Sequence, residues 1–200
     1  ATTTTANSNN WTFDSNVLNG FAAINAVGFD IRGSNNILKN NVLDKSHPAI
    51  NIVTAYNTTL INNTLLNSDI GVQVFNSNLR VIDNNTFRNI TQNYDAYDVP
   101  IKVKHARNTI ITFNNFTEVA TTAIVIQNST NATITNNSFD LIAMNNRNKY
   151  LAKDYGDPVC AISITALYKS YVGNGEEITN DDALNVTSKL KSDNVNIAGS

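Results

Sequence analysis

The chain has 200 residues, enough for one domain with a substantial core. Hydrophobic residues make up 42% of it, which is near the globular norm and argues against disorder. Charged residues make up only 15% and the net charge is −2, which excludes an electrostatic nucleic-acid binder. No apolar run approaches the roughly 18 residues that a membrane span needs.

Asparagine is the anomaly of the composition, with 36 in 200 residues. Ten of these begin an N-x-[S/T] sequon, against about six expected from composition alone. The single cysteine, Cys160, excludes an intrachain disulfide. Few charges and many glycan acceptors favour an extracellular or cell-surface location. The sequons begin at Asn10, Asn57, Asn62, Asn84, Asn89, Asn115, Asn128, Asn131, Asn136 and Asn185.

A nine-residue motif recurs six times along the chain, with the consensus N-x-x-[ILF]-x-[NS]-N-x-[LF]. The first copy is at residues 10–18 (NWTFDSNVL) and the last at 131–139 (NATITNNSF). The copies are 22 to 29 residues apart, and such a repeat decides the fold before any single element does. The asparagine common to all six copies is Asn16, Asn41, Asn63, Asn85, Asn114 and Asn137.

A second motif, with period-2 alternation and many β-branched residues, follows each copy and predicts a further strand. It falls at residues 24–26 (INA), 50–52 (INI), 72–74 (VQV), 101–103 (IKV), 124–126 (IVI) and 162–164 (ISI). A repeat of about 22 residues that is nearly all strand cannot bury one face alone, so it must stack on copies of itself. The pattern therefore predicts a parallel β-helix in which like residues lie over like.

Asparagine suits the corners of such a helix, because its short amide tolerates left-handed backbone and stacked amides can bond along the column. In each Asn-Asn pair, alternation sends one side chain inward and one outward. We predict that the six shared asparagines form the inner ladder. Their neighbours Asn40, Asn62, Asn84 and Asn136 are expected to face solvent.

These repeats resemble the right-handed parallel β-helix repeats of the pectin lyase-like superfamily, in the Asn-rich style of microbial surface proteins. The resemblance covers roughly residues 9–165. It implies an all-β fold, a single-stranded right-handed parallel β-helix of about six to seven coils with an Asn ladder. We expect residues 1–170 to form the β-helix and 171–200 an irregular C-terminal coil, cap or assembly segment. The superfamily hosts lyases, hydrolases, tailspikes, adhesins and structural proteins, so the resemblance does not select one function.

Two long excursions leave the same corner of the predicted helix, at residues 88–100 and 140–160. Long loops on a rigid scaffold are where binding surfaces usually form. Tyrosine rings there would stack on sugars, and paired aspartates would supply carboxylates. In the plainer interpretation, the two loops cover each other or a neighbouring subunit. The candidate ligand-binding residues are Tyr94, Asp95, Tyr97, Asp98, Arg147, Tyr150, Asp154, Tyr155 and Asp157.

The strand after the first excursion carries cations that would neutralise a uronate, namely Lys102, Lys104, His105 and Arg107. The N-T-D, D-D and G-H-G stations of polygalacturonase-like members are not reproduced, and no catalytic residue is assigned. The strands of the second motif are expected to stack into a wall of their own, which we call the third wall. Its outward residues lack acidic pairs and are predicted to be Asn25, Asn51, Gln73, Lys102, Val125 and Ser163. The sequence predicts no cofactor and no metal site, since His47 and His105 are far apart and Cys160 has no partner at ligand spacing.

The ends of the repeat show no strong capping pattern, although residues 195–197 (VNI) are expected to add a last strand. Uncapped strand edges pair with other strands, and a head-to-tail contact propagates into a filament or lattice. The sequence thus favours an extracellular structural protein that self-assembles with copies of itself into a filament, sheath or surface layer. The alternative is a β-helix that binds or cleaves a cell-surface polysaccharide with the two loops. The sequence leans against a catalytic role without deciding it, and no nucleic-acid partner is expected.

Overall fold

The computed structural model describes residues 2–3, 9–20, 26–90, 99–119, 122–142, 161–165 and 196–198. They form three parallel sheets around one apolar core. Sheet A contains β1 (Thr2–Thr3), β4 (Phe29–Ser34), β7 (Ile50–Tyr56), β10 (Val72–Phe75), β13 (Ile101–Lys104), β16 (Ile124–Gln127) and β19 (Ile162–Thr165). Sheet B contains β2 (Thr12–Asp14), β5 (Ile37–Lys39), β8 (Thr59–Ile61), β11 (Val81–Asp83), β14 (Ile110–Thr112), β17 (Thr133–Thr135) and β20 (Asn196–Ala198). Sheet C contains β3 (Val17–Asn19), β6 (Val42–Asp44), β9 (Thr64–Leu66), β12 (Thr86–Arg88), β15 (Asn115–Val119) and β18 (Ser138–Ile142).

The chain visits sheets A, B and C in turn, and each strand pairs in parallel with its counterpart in the next coil. This order confirms the predicted parallel β-helix. The last strand expected near the C-terminus is present, because β20 pairs with β17 and Ile197 aligns with Ile134. At the other end, β1 adds a strand to sheet A ahead of the first copy of the nine-residue motif.

The predicted interior columns are confirmed by register and burial. In sheet B, Leu38, Leu60 and Ile82 align and are at most 1% exposed. In sheet C the rings of Phe87, Phe116 and Phe139 stack, with centroids 4.9 and 5.1 Å apart and planes within 8° of parallel. Period-2 alternation therefore places one apolar side chain of each short strand in the core and its neighbours outside.

One predicted strand is wrong. The sheet A strand that follows the first copy of the nine-residue motif is β4, in which Phe29 aligns with Ile50 and Ile31 with Ile52, and it lies C-terminal to the predicted residues 24–26, of which 24 and 25 are outside the described residues. Both stretches alternate correctly, and packing decides between them, because in the next four coils the second residue of the wall is a fully buried Ile or Val. An alanine, as at position 26, would leave a void there. Asp30 therefore occupies the outward position that we had expected for Asn25, which lies outside the described residues. In β19, by contrast, Ile164 is exposed and Ser163, which we expected to face outward, is buried.

The inner ladder is confirmed by its hydrogen bonds. The Nδ2 atoms of Asn16, Asn41 and Asn63 each donate to the Oδ1 of the ladder asparagine one coil on, over 2.9 to 3.0 Å. Asn85 and Asn114 continue the same chain of bonds, ending at the Oδ1 of Asn137, each over 3.0 Å. Each ladder Oδ1 beyond the first also accepts a backbone N–H from the preceding coil. The buried amides are thus satisfied within the column.

The outward asparagines, rather than those of the inner ladder, adopt the left-handed backbone. Of 19 non-glycine residues with positive φ in the described ranges, 13 are asparagines, and none belongs to the inner ladder. Asn40, Asn62, Asn84 and Asn136 have φ between 50° and 56° and are exposed, as predicted. Asparagine is the residue that adopts this conformation at least cost after glycine. The high asparagine content therefore has two structural causes, the inner ladder and the left-handed corners.

Candidate functional site

The predicted loop residues lie outside the described part of the chain. This holds for Tyr94, Asp95, Tyr97, Asp98, Arg147, Tyr150, Asp154, Tyr155 and Asp157, and also for the sequon at Asn185. The described chain resumes at Val99 and Ala161, directly before β13 and β19. Both excursions therefore lead into sheet A, whose outer face carries the candidate site described next.

A cleft of about 170 Å³ lies on the outer face of sheet A. Strand alternation and register bring its side chains together, because Gln73 aligns with Lys102, and Phe75 with Lys104. Lys104 in turn aligns with Gln127 in the next coil. The cleft is lined by Gln73, Val74, Phe75, Lys102, Lys104 and Gln127. Three successive coils thus contribute an aromatic ring, two ammonium groups and two amides.

Lys104, Phe75 and His105 form the electrostatic centre of this cleft. The Nζ of Lys104 lies 5.8 Å from the centroid of the Phe75 ring, and His105 meets the same ring edge-on at 5.5 Å. Burial lowers the pKa of Lys104. The pKa of His105 is lowered by burial and by the charge of Lys104. The cluster therefore holds positive charge under partial desolvation, which favours an anionic ligand.

Gln127 adds a buried polar group to the cleft. The residue is 2% exposed, and its Oε1 accepts no hydrogen bond in the part of the chain that the structure describes. An unpaired buried carbonyl oxygen costs about 1–3 kcal/mol, so a donor from a ligand would be stabilising there. A hydroxyl group is such a donor.

Beside the cleft, a line of polar side chains follows the same face of sheet A towards the N-terminal coils. The Nδ2 of Asn51 donates to Asp30 Oδ1 over 3.0 Å, and the Nε2 of Gln73 donates to Asn51 Oδ1 over 3.4 Å. The Nε of Arg32 lies 3.4 Å from Asp30 Oδ2. Because β4 supplies the sheet A strand of this coil, the carboxylate of Asp30 lies on the outer face of sheet A, two coils from the cleft. The remaining predicted cation, Arg107, is exposed and lies beyond β13, outside the cleft lining.

His47 lies in a corner, as expected, but it has a partner that the sequence did not indicate. Its Nδ1 is 2.9 Å from Asp69 Oδ2 in the next coil, and both side chains are largely buried. His105 directly follows β13 of sheet A and contacts Phe75, so the two histidines do not share a site. Within the described ranges, no three His, Cys, Asp or Glu residues are grouped so as to hold a metal ion.

The structural roles of the corner residues explain why sequons such as the one at Asn62 recur in this chain. In Asn62-Asn63-Thr64, the first residue is the left-handed corner, the second the ladder amide and the third an outward strand residue. Moreover, Asn84 Nδ2 donates to Asn62 Oδ1 over 2.7 Å. Glycans on both would lie one coil apart, about 4.8 Å, which is too close for two branched chains. Glycosylation of the sequons stays a prediction, and alternate coils are the better acceptors.

Sequence reasoning found the cations of the cleft but missed Phe75 and Gln127. Both are outward residues one strand away from Lys104 in register. The sequence does contain a signal for them. When the second motifs of successive coils are aligned, Phe75, Lys104 and Gln127 occupy the same position, directly after the second apolar residue.

Among the described residues, no helix has the length and apolar character of a membrane span. A comparison with protein-family models matches residues 4–165 to the right-handed beta helix region. No curated protein and no solved structure gave a significant match. The matched span is most of the chain and contains the inner ladder, the strands from β2 to β19 and the sheet A cleft. The chain therefore belongs to the right-handed β-helix family.

Proposed function

We propose that this chain is a carbohydrate-binding β-helix protein, outside the cell or at its surface, that holds an anionic polysaccharide on the outer face of sheet A. The observation that carries the proposal is the cleft in which Lys102, Lys104 and Phe75 lie together on adjacent coils. A uronate residue matches this lining, because its carboxylate pairs with the ammonium groups and its apolar ring face packs on the aromatic ring.

Desolvation strengthens this argument. Burial lowers the pKa of Lys104, so its charged form is held at some cost in the free protein. A carboxylate in the cleft compensates that cost, and a sugar hydroxyl can donate to the unpaired Oε1 of Gln127. Charge, aromatic surface and an unpaired acceptor on a lining residue are the elements of a polar ligand site.

Removing the central charge is expected to weaken binding of an anionic glycan. For Lys104→Gln, the affinity for hexagalacturonate should fall about tenfold, since a charge-assisted hydrogen bond contributes on the order of 1–2 kcal/mol. Isothermal titration of wild type and variant against this probe measures the change. Binding should also weaken as salt is raised.

The matched control is Lys39→Gln. Lys39 is on the outer face of sheet B, 3.1 Å from Asp14, away from the cleft. Its replacement should leave the affinity unchanged. Equal losses in the two variants, or no binding of the probe by wild type, would contradict the proposal.

A second candidate function, self-assembly into a filament or surface layer, is favoured by the N-terminal end of the helix. Phe13 and Leu18 of the first coil are only partly buried, whereas Leu38 and Leu43, their counterparts one coil on, are fully buried. Val17 is 74% exposed. No described residue donates to the Oδ1 of Asn16, so the inner ladder ends on an open acceptor. Another coil, supplied by a second copy, would cover this surface.

Electron microscopy and sedimentation test this assembly. Filaments or sheets are expected for the wild-type chain, and Val17→Lys should dissolve them by placing a charge in the contact. Val17→Thr, which introduces the residue that sheet C carries at Thr64 and Thr86, is the control and should still assemble. Dispersed monomers for all three proteins would rule out the assembly.

A further inference from the structure

Phe113 breaks the pattern of the corner that joins sheets B and C. We call this position, one residue before each ladder asparagine, the B–C corner. The other coils place there Ser15, Asn40, Asn62, Asn84 and Asn136. Phe113 has φ 53° like its counterparts, and its ring is 59% exposed. A bulky aromatic residue in left-handed backbone is an outlier, and such strain is typical of functional positions.

The same substitution interrupts a second, outer ladder. Asn40 Nδ2 donates to Asp14 Oδ1 over 2.9 Å, Asn62 Nδ2 to Asn40 Oδ1 over 3.5 Å, and Asn84 Nδ2 to Asn62 Oδ1 over 2.7 Å. The series stops at Phe113. In the described part of the chain, no side chain donates to Asn84 Oδ1, and the side-chain amide of Asn136 makes no hydrogen bond.

Further polar residues flank Phe113 in sequence and in strand register. Asn115, two residues on, is exposed and its side-chain amide bonds to no other described residue. On the sheet B side, the hydroxyls of Thr112 and Thr135 lie 3.1 Å apart. Asp83, aligned with Thr112, brings a carboxylate to this surface. Phe113 is thus an exposed apolar side chain flanked by residues that carry amides, hydroxyls and one acidic group.

We propose that the Phe113 corner is a second saccharide site, specific for neutral sugars. The C–H face of a pyranose packs on the aromatic ring, and its hydroxyls bond to the amides of Asn84, Asn115 and Asn136. Asn84 and Asn136 are each one coil from Phe113, so they lie about 10 Å apart, a span comparable with a disaccharide. Asp83 accepts from hydroxyls but repels a uronate, which separates this site from the cationic cleft of sheet A.

The site does not depend on the proposed cleft, since it lies at the B–C corner and not on sheet A, and it takes a neutral rather than an anionic ligand. A second copy of the chain is the competing occupant of an exposed aromatic ring. The polar surroundings disfavour that alternative, because an apolar contact would bury several unpaired amides. The experiment below distinguishes the two.

Restoring the residue of the other coils tests the proposal. Wild type should bind at least one of cellohexaose, maltohexaose, xylohexaose and mannohexaose in isothermal titration. Phe113→Asn should weaken that binding at least tenfold, leave hexagalacturonate affinity unchanged, and raise Tm by about 2–4 °C as backbone strain is relieved. Phe113→Trp should retain binding, because it keeps an aromatic face.

Ile110→Thr is the matched control. Ile110 is an exposed apolar residue on the same coil, 42% exposed, in a column that carries threonine at Thr59 and Thr133. Its replacement should not affect the neutral glycan. Failure of all four neutral probes to bind wild type, equal binding by Phe113→Asn, or loss of an oligomer in that variant would overturn the proposal.

Discussion

Replacing Asn85 with aspartate is expected to destabilise the protein by about 3–5 kcal/mol, since it puts an uncompensated charge into the inner ladder. Asn85 is 2% exposed. Its Nδ2 donates to the carbonyl oxygens of Leu60 and Asp83 and to Asn114 Oδ1, over 2.9 to 3.2 Å. A carboxylate oxygen at that place faces three acceptors, so three bonds are lost and replaced by repulsion. Urea denaturation at pH 7 measures the loss.

The pH dependence of this variant has a definite sign. The buried carboxyl should have a raised pKa, because burial and the surrounding oxygen atoms disfavour its charged form. The loss of unfolding free energy caused by the substitution is therefore present at neutral pH. It becomes smaller as the pH falls and the carboxyl takes up a proton. Relative to wild type, Asn85→Asp should recover part of its stability in acid.

Asn84→Asp is the matched control, one residue away. Asn84 is exposed and left-handed, a conformation that aspartate also tolerates, and the new charge stays in water. We expect a cost below about 1 kcal/mol from the lost bond to Asn62. If the two variants unfold at the same urea concentration, the inward and outward roles of this pair are not as the structure has them.

Truncating Phe116 to alanine is expected to cost about 3–5 kcal/mol, as for other large-to-small changes in tight cores. The ring is fully buried between Phe87 and Phe139, at centroid distances of 4.9 and 5.1 Å. Its loss leaves a cavity with aromatic faces on both sides, and rigid stacked strands cannot collapse into it. The urea midpoint should drop with the slope unchanged.

Phe139→Ala provides the comparison, since Phe139 ends the same stack and is only partly buried. Its cost should be clearly smaller, because part of the side chain already contacts solvent. A lower slope for Phe116→Ala, with two transitions, would show instead that the coils on either side of the cavity unfold separately, as in other repeat proteins.

The repeat made most of the fold predictable. Each shared asparagine was identified as a ladder residue from its column alone, because stacking copies of one motif leaves a single place for a buried amide. The interior positions, such as Leu60 and Ile82, followed from period-2 alternation in the same way. The first third-wall strand was misplaced, since residues 24–26 and β4 alternate alike and only the volume of Ile31 against Ile52 distinguishes them.

The candidate site was predictable only in part. Lys102 and Lys104 were recognised by their charge, whereas Phe75 and Gln127 lie 29 and 23 residues along the chain from Lys104, the residue with which they align in the cleft. The pairing of His47 with Asp69 could not be predicted either, because it requires the corners of two successive coils to stack so that residues 22 positions apart come into contact. The departure of Phe113 from the [NS] position of the motif is visible in the sequence, but its left-handed backbone is not, since the other coils impose that conformation.

The amino-acid sequence by itself determined the architecture, the inner ladder and the core columns of this protein. These features recur in every coil, so each can be recognised from several copies of the motif, and one divergent copy does not hide the pattern. Only the tertiary structure decided which asparagine is left-handed, which residues form the sheet A strand after the first motif copy, and which side chains share the sheet A cleft and the Phe113 corner. These features depend on contacts between individual residues of different coils. Each such contact occurs once in the molecule, so it produces no repeating pattern in the sequence.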